Sequence, residues 1–221
     1  MRIRSTPNTL VEVSKNRNNG KSSARYAGEV YFSADIEADG PIPGPYSMSS
    51  IGLCVAGTFD GEKFTRMNPE SETFYAELKP ISDDFVAEAA AVSGLERSEL
   101  VLSGEQPAAA MRRCSDWVGR TANGRRPVLV AWPLSYDWTW IYWYFMKFNK
   151  SSPFSFSSCL DMKTMYHRKA NVGMNKTGKR AIPAFLKSDR KHTHHALDDA
   201  VEQAEFFMNL FEWDAKPSDN G

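Results

Sequence analysis

Residues Pro127 to Trp132, reading Pro-Val-Leu-Val-Ala-Trp, form an uncharged apolar run between the polar segment Asn123-Gly124-Arg125-Arg126 and Pro133. A run so short and so continuously apolar suits a strand covered on both faces, and such strands belong to sheets with helices packed against them. The flanking sequence supplies those helices. Upstream, Val30 to Glu37, Ser49 to Phe59 and Thr73 to Leu78 read as strands, with Asp60-Gly61 turning the chain between the last two. Segments around Asp84 to Val92 and from Pro107 to Thr121 read as helices. Downstream, Tyr136 to Phe148 reads as a helix, Phe156 to Leu160 as a short strand, Met162 to Lys169 as a helix and Ala196 to Trp213 as a long terminal helix. An antiparallel meander followed by alternating helices and strands predicts an α/β fold: a mixed sheet flanked by helices.

The chain has 221 residues, 42% apolar and 24% charged, which suits one ordinary globular domain rather than a fibre. The organisation expected is a flexible basic extension over residues 1–27, a folded domain over 28–215 and a flexible tail over 216–221. No run approaches the roughly 20 apolar residues of a membrane span, and the extension lacks the apolar stretch of a secretory signal, so a cytoplasmic protein with no membrane partner is expected. Cys54, Cys114 and Cys159 are odd in number and far apart, which argues against disulfides and against a cysteine-based zinc site. The formal net charge is zero, so any contact with a polyanion must be local.

Three segments carry chemistry. In the first strand Asp35-Ile36-Glu37 sends two carboxylates to one face, roughly 7 Å apart at Cβ, while Phe32, Ala34 and Ile36 face the other way. Two such side chains can converge on one hard divalent cation, although an isolated Asp-x-Glu is more commonly a pair of exposed acids. Asp39-Gly40 follows, and Asp39 reads as a turn former rather than a ligand. The second segment is the buried strand itself, which runs into Pro133-Leu134-Ser135-Tyr136-Asp137 and puts a carboxylate at a helix start. Complementing the helix dipole is the plain use for Asp137. The third is His192-Thr193-His194-His195-Ala196-Leu197-Asp198-Asp199, with three of the four histidines just before a helix. No cysteine or His-x-x-x-His pair completes a zinc site there.

Asp-x-Glu in the first strand, Asp at the start of a central helix, and His-x-x-x-x-Asp before the last helix, in that order, resemble the DEDD exonucleases of the histidine subtype. That group has a ribonuclease H-like fold and includes oligoribonuclease, ribonuclease T and polymerase proofreading subunits. The similarity runs from about Val30 to Phe211 and extends to Phe74-Tyr75-Ala76-Glu77-Leu78-Lys79-Pro80, to Ala91-Val92-Ser93-Gly94-Leu95 and, more loosely, to Cys159-Leu160-Asp161-Met162. Pro133 stands where many members have Asn, and Ser93 where many have His; both positions shape the substrate in the family.

The resemblance implies a 3′-to-5′ exonuclease acting on the 3′ ends of single-stranded nucleic acid and releasing nucleoside 5′-monophosphates. It implies two divalent cations, Mg²⁺ or Mn²⁺, with Asp35 bridging, Glu37 and Asp199 as further ligands, Asp137 as a ligand acting partly through water, and His194 as general base. Histidine suits that role because an imidazole titrates near neutrality. Several members are dimers, so the resemblance admits a homodimer.

Helical periodicity separates Asp199, aligned with Ala196, Gln203, Phe206 and Leu210 on an apolar side, from Asp198, which continues a polar stripe through Glu202, Glu205, Asn209 and Glu212. The basic stretch Lys176, Lys179, Arg180, Lys187, Arg190 and Lys191 is ordinarily a solvated loop. Its other use is a grip on phosphates, which makes Lys179 and Arg180, with Ser93, the candidate substrate-binding residues. Among the aromatics after Asp137, the spacing of Trp138, Tyr142 and Phe145 predicts core, leaving Trp140 or Trp143 exposed or at a partner interface. A non-catalytic nucleic-acid-binding module, a structure-selective ribonuclease H-like endonuclease and a zinc hydrolase remain as alternatives at this point.

Overall fold

The computed structural model describes residues 26–214. Apart from Tyr26 and Ala27, the expected basic extension lies outside the described residues, as does the expected tail over 216–221.

Strand β1 (Glu29–Ala38) forms antiparallel pairs with β2 (Met48–Phe59) on one side and parallel pairs with β5 (Arg126–Ala131) on the other. Two short strands, β3 (Phe64–Arg66) and β4 (Thr73–Glu77), both run antiparallel to β2, and β6 (Cys159–Asp161) runs parallel to β5. The sheet order is β3-β2-β1-β5-β6, with β4 also on β2. This is the mixed sheet expected: a meander, then parallel strands.

Helices α3 (Pro107–Ala122) and α4 (Leu134–Tyr144) cover one face, and α5 (Met162–Ala170) and α6 (Ala196–Glu212) the other. Each side has its own core. Phe32, Ala34 and Ile36 of β1 join Met111, Cys114, Trp140 and Tyr144, whereas Tyr31 joins Val128, Val130, Ala200 and Phe207. Burying a large apolar side chain is worth roughly 1.5–3 kcal/mol, so the alternation of β1 alone fixes which way Asp35 and Glu37 point. They point toward α6.

Several elements depart from the expected boundaries. Only α1 (Ala87–Ala90) forms within Asp84 to Val92; it buries no residue, and a helix without a packed face has nothing to offset its nucleation cost. Asp60-Gly61 turns the chain into β3, not into β4. The short helix α2 (Arg97–Ser103) was not expected; its Arg97 pairs with the buried Asp39, which also accepts from the Ser47 N–H and so holds the turn after β1. Strand β6 begins at Cys159 because Ser155 and Ser157 form local hydrogen bonds that keep exposed Phe156 in a turn.

The aromatic assignment on α4 needs correction. Trp140 is fully buried with Ile141, Tyr144 and Phe145, while Trp138 and Tyr142 are half-buried and stack on each other at 4.9 Å. The inward face of α4 is the one that carries Asp137, at positions i, i+3, i+4, i+7 and i+8. Among the described residues no helix is long and apolar enough to cross a membrane.

Candidate active site

In open α/β sheets ligands bind beyond the carboxyl ends of the strands. The parallel pairing of β1 with β5 ends at Ser33 and Val130, so Asp35 and Glu37 lie just past it, at that edge. Helix α4 starts there too. Asp161 fixes that start, since one carboxylate oxygen accepts from the Leu134 N–H at 2.7 Å while the other caps α5 through the Thr164 N–H at 2.6 Å. That first turn of α4 presents Asp137, which is buried and accepts from the Ile36 N–H at 3.2 Å, between the two acids of β1.

Helix α6 brings the last acid from the opposite side. A Cβ on Gly52, the β2 partner of Asp35, would lie 2.4 Å from the carbonyl carbon and oxygen of Ala196. Only glycine lets the first turn of α6 come this close. The result is that one carboxylate oxygen each from Asp35, Glu37 and Asp199 lie within 4.8 Å of one another. Asp199 is fully buried, while Asp198 is exposed, as the periodicity predicted.

Asp199 also organises the loop before α6. Its two oxygens accept from the backbone N–H groups of Thr193 and His194, each at 2.9 Å, and His194 is held in the left-handed region at φ 58. A histidine tolerates that conformation when its surroundings determine it. A ring nitrogen of His194 is within 4.8 Å of an Asp199 oxygen. His195 instead caps α6, accepting from the Asp198 N–H at 3.4 Å, and stacks on Tyr75.

Burial and neighbouring acids raise the pKa of Asp35 and Glu37. Burial, then the charges of Asp137, Glu37 and Asp199, hold Asp35 well above the usual carboxylate range, with Lys179 acting in the opposite sense. Burial, followed by Asp199 and Asp137, pushes Glu37 up to about 7. Burial also pushes Asp137 up to about 7 against the backbone N–H groups that favour its ionised form. Clustered acids in a cleft with pKa values displaced in this way are a recognised mark of a functional site.

Helical periodicity places Gln203 only on an apolar helix side. It is buried, its carbonyl oxygen accepts from the Trp132 N–H at 2.8 Å, and its amide donates to Asp35 Oδ1 at 2.7 Å. The signal for it was present: an amide one turn beyond Asp199, on a side otherwise apolar, must find partners for both ends.

These side chains line a cavity of about 490 Å³ that also includes Tyr136, Lys179 and His192. Lys179 is therefore at the site, whereas Arg180 lines an adjoining cavity. Ser93 lines neither; its hydroxyl accepts from the Leu95 N–H at 3.3 Å in the turn after α1. His192, His194 and Asp199 form a second convergent group, but the Lys179 ammonium is 3.3 Å from His192 Nδ1, which opposes a further cation there. The all-carboxylate group is the better cation site.

A family model described as the 3′-5′ exoribonuclease Rv2179c-like domain matches residues 32–211. The chain is 36% identical over 180 residues to the 3′-5′ DNA exonuclease Cap18 of Escherichia coli, covering 81% of this chain and 90% of that one. Among solved structures, the nuclease domain of 3′hExo, a DEDDh family member bound to rAMP, superposes with a TM-score of 0.61 at 13% identity, over 86% of this chain and 94% of that one. Escherichia coli Exonuclease I in complex with a dA16 oligonucleotide gives 0.57 at 16% identity, over 83% of this chain and 41% of that one. At such identities these two likenesses speak to the fold.

Proposed function

The chain belongs to the Rv2179c-like family of DEDDh 3′-5′ exonucleases, and from that membership we propose a metal-dependent enzyme that releases nucleoside 5′-monophosphates from single-stranded 3′ ends. Asp35, Glu37, Asp137, Asp199 and His194 are its catalytic residues in this reading. Membership in a family of exonucleases sets aside the non-catalytic and endonuclease alternatives. Strands of either sugar are within the proposal, since the family description names an exoribonuclease and the Escherichia coli relative a DNA exonuclease.

The observation that carries the reading is the convergence of Asp35, Glu37 and Asp199 within 4.8 Å, with Asp137 buried beside them. Such a set is costly when fully ionised and uncompensated, as the raised pKa values of Asp35, Glu37 and Asp137 register. Hard divalent cations with oxygen ligands relieve that cost, so Mg²⁺ or Mn²⁺ fits the donor set. Asp35, Glu37 and Asp199 would hold one, and Asp35 with Asp137 a second. When bound, a cation pair neutralises charge on the phosphoryl oxygens and makes water a stronger acid.

The protein's own groups do the rest. The His194 imidazole accepts the proton of the attacking water, a contribution of roughly 10² to 10⁴ in rate for a positioned general base. Asp199 holds the two peptide N–H groups that aim that ring. Gln203 fixes the rotamer of Asp35. Lys179 and Arg180 contact phosphates of the bound strand; both are exposed, Lys179 beside Glu202 and Arg180 without an ion-pair partner among the described residues. Unpairing a terminal nucleotide costs up to a few kcal/mol, so single strands are preferred over blunt duplexes.

The test is incubation of 3′-labelled linear strands and of closed single-stranded circles, DNA and RNA, with and without Mg²⁺. Label should leave as a mononucleotide from linear strands only, and only with the cation. Cutting of circles at a comparable rate, or full activity in excess chelator, would overturn the proposal.

A further inference from the structure

Beside the carboxylate cavity lies a second one of about 360 Å³, within the size range of small-ligand sites. The two share Trp132, Lys179, His192 and Gln203, so they are parts of one continuous depression. Its floor is apolar: Trp132 and Phe206 meet edge to face at 4.9 Å, with Ile182 beside them. Its wall is basic. Lys179, Arg180, Lys187 and Arg190 line it, supplied by the segment between α5 and α6, which forms only short 3-10 turns and no strand. Arg190 is engaged by Glu70 and Glu205, and Lys179 lies 3.4 Å from Glu202 in the same wall. Arg180 and Lys187 make no ion pair among the described residues.

Resting on the exonuclease reading, we propose that this cavity binds the nucleotide on the 5′ side of the scissile phosphate, its base over Trp132 and Phe206 and its own 5′ phosphate at Arg180 and Lys187. A 3′ end has no phosphate beyond the one being cut, and that one belongs at the carboxylate centre. Lysines and arginines in the neighbouring cavity therefore face the only phosphates left, those of the preceding residues. The apolar floor suits a base, because every base has a face to stack whatever its sequence.

The test compares a 5′-phosphorylated thymidine dinucleotide with the p-nitrophenyl ester of thymidine 5′-monophosphate, both of which yield the same mononucleotide. Only the dinucleotide has a preceding residue. In Arg180→Ala/Lys187→Ala, which alters two exposed side chains, the dinucleotide-to-ester ratio of kcat/KM should fall at least fivefold. An unchanged ratio, whether both rates fall together or neither does, overturns the proposal.

Replacing the 5′-side thymidine by an abasic residue should cost the wild type at least fivefold, and an equal rate would exclude the stacked base. Should the wild type hydrolyse neither compound, the exonuclease reading still stands or falls on the linear strands, and the cavity is tested separately by binding. Fluorescence anisotropy with labelled hexathymidylate in Ca²⁺ should then show a Kd at least fivefold weaker in the double variant; an equal Kd overturns the cavity assignment.

Discussion

Asp199 carries two loads at once: it belongs to the carboxylate set proposed to hold cations, and its oxygens hold the Thr193 and His194 N–H groups. Asp199→Asn removes the charge and leaves the Asn amide facing one of those N–H groups, so it should cut kcat at least about a hundredfold. His194→Ala should do the same, at the lower end for a lost general base. Asp198→Asn and His195→Ala, at an exposed acid and a helix cap, should stay within a few-fold. Steady-state rates on one single strand decide this, and an active Asp199→Asn beside a dead Asp198→Asn would place the register wrongly. Gln203→Leu keeps volume but removes the hydrogen bond to Asp35; a bond to a charged group is worth roughly 1.5–3 kcal/mol, so the Mg²⁺ needed for half-maximal activity should rise about tenfold. An unchanged Mg²⁺ titration would show that Asp35 needs no such partner. Asp199 could be told from Asp198 in the sequence because a 3.6-residue period distinguishes adjacent residues. That Gln203 needs partners is likewise readable, but which partners is not, since they come from residues 71 and 168 positions away.

Among the elements, the contact of α6 with β2 is the one that assembles the site. Gly52 permits it, and Gly52→Ala would set a methyl group 2.4 Å from the backbone of Ala196, where no flexible side chain can yield. The first turn of α6 must lift, carrying Asp199 away from Asp35 and Glu37. Overpacking of this kind costs roughly 1–3 kcal/mol in stability. Activity should suffer more, by at least tenfold in kcat while the protein remains folded by circular dichroism; wild-type activity in this variant would mean that the site does not depend on that approach. The long periodic elements were readable before the fold was known, because β1 alternates, β5 is apolar after Arg126 and α6 keeps an apolar side. The helix expected over Asp84 to Val92 shrank to four residues, and α2 and β3 escaped notice, since elements this short are decided by tertiary partners such as Asp39 and β2.

At the scale of the whole molecule, the site sets a conflict between function and stability. In the metal-free protein Glu37 and Asp137 titrate at about 7 and Asp35 well above the usual range, whereas in the unfolded chain all three ionise near 4. The folded state thus binds more protons across that window, and stability present below about pH 4 is lost as pH rises through 7. The unfolding temperature without divalent cations should fall between pH 5 and 8. Saturating Mg²⁺, which binds only the folded state, should flatten the fall. Asp137→Asn should raise the metal-free unfolding temperature at pH 8 by at least about 2 °C, the shift that about 1 kcal/mol gives in a domain of this size. A metal-free protein that gains stability with rising pH would contradict the account. The order of the three acidic segments pointed to the candidate site from the chain alone, while the neighbouring basic cavity was not legible, because residues 176–191 follow no period that could reveal what they enclose. The most direct measurement of the central claim is a time course of a 5′-labelled single strand resolved by length, for wild type and Asp35→Asn, with Mg²⁺ and with chelator. Wild type with Mg²⁺ should shorten the strand one nucleotide at a time from the 3′ end, and the other three conditions should leave it intact. Early release of the 5′ label, internal cuts, or undiminished shortening by Asp35→Asn would contradict it.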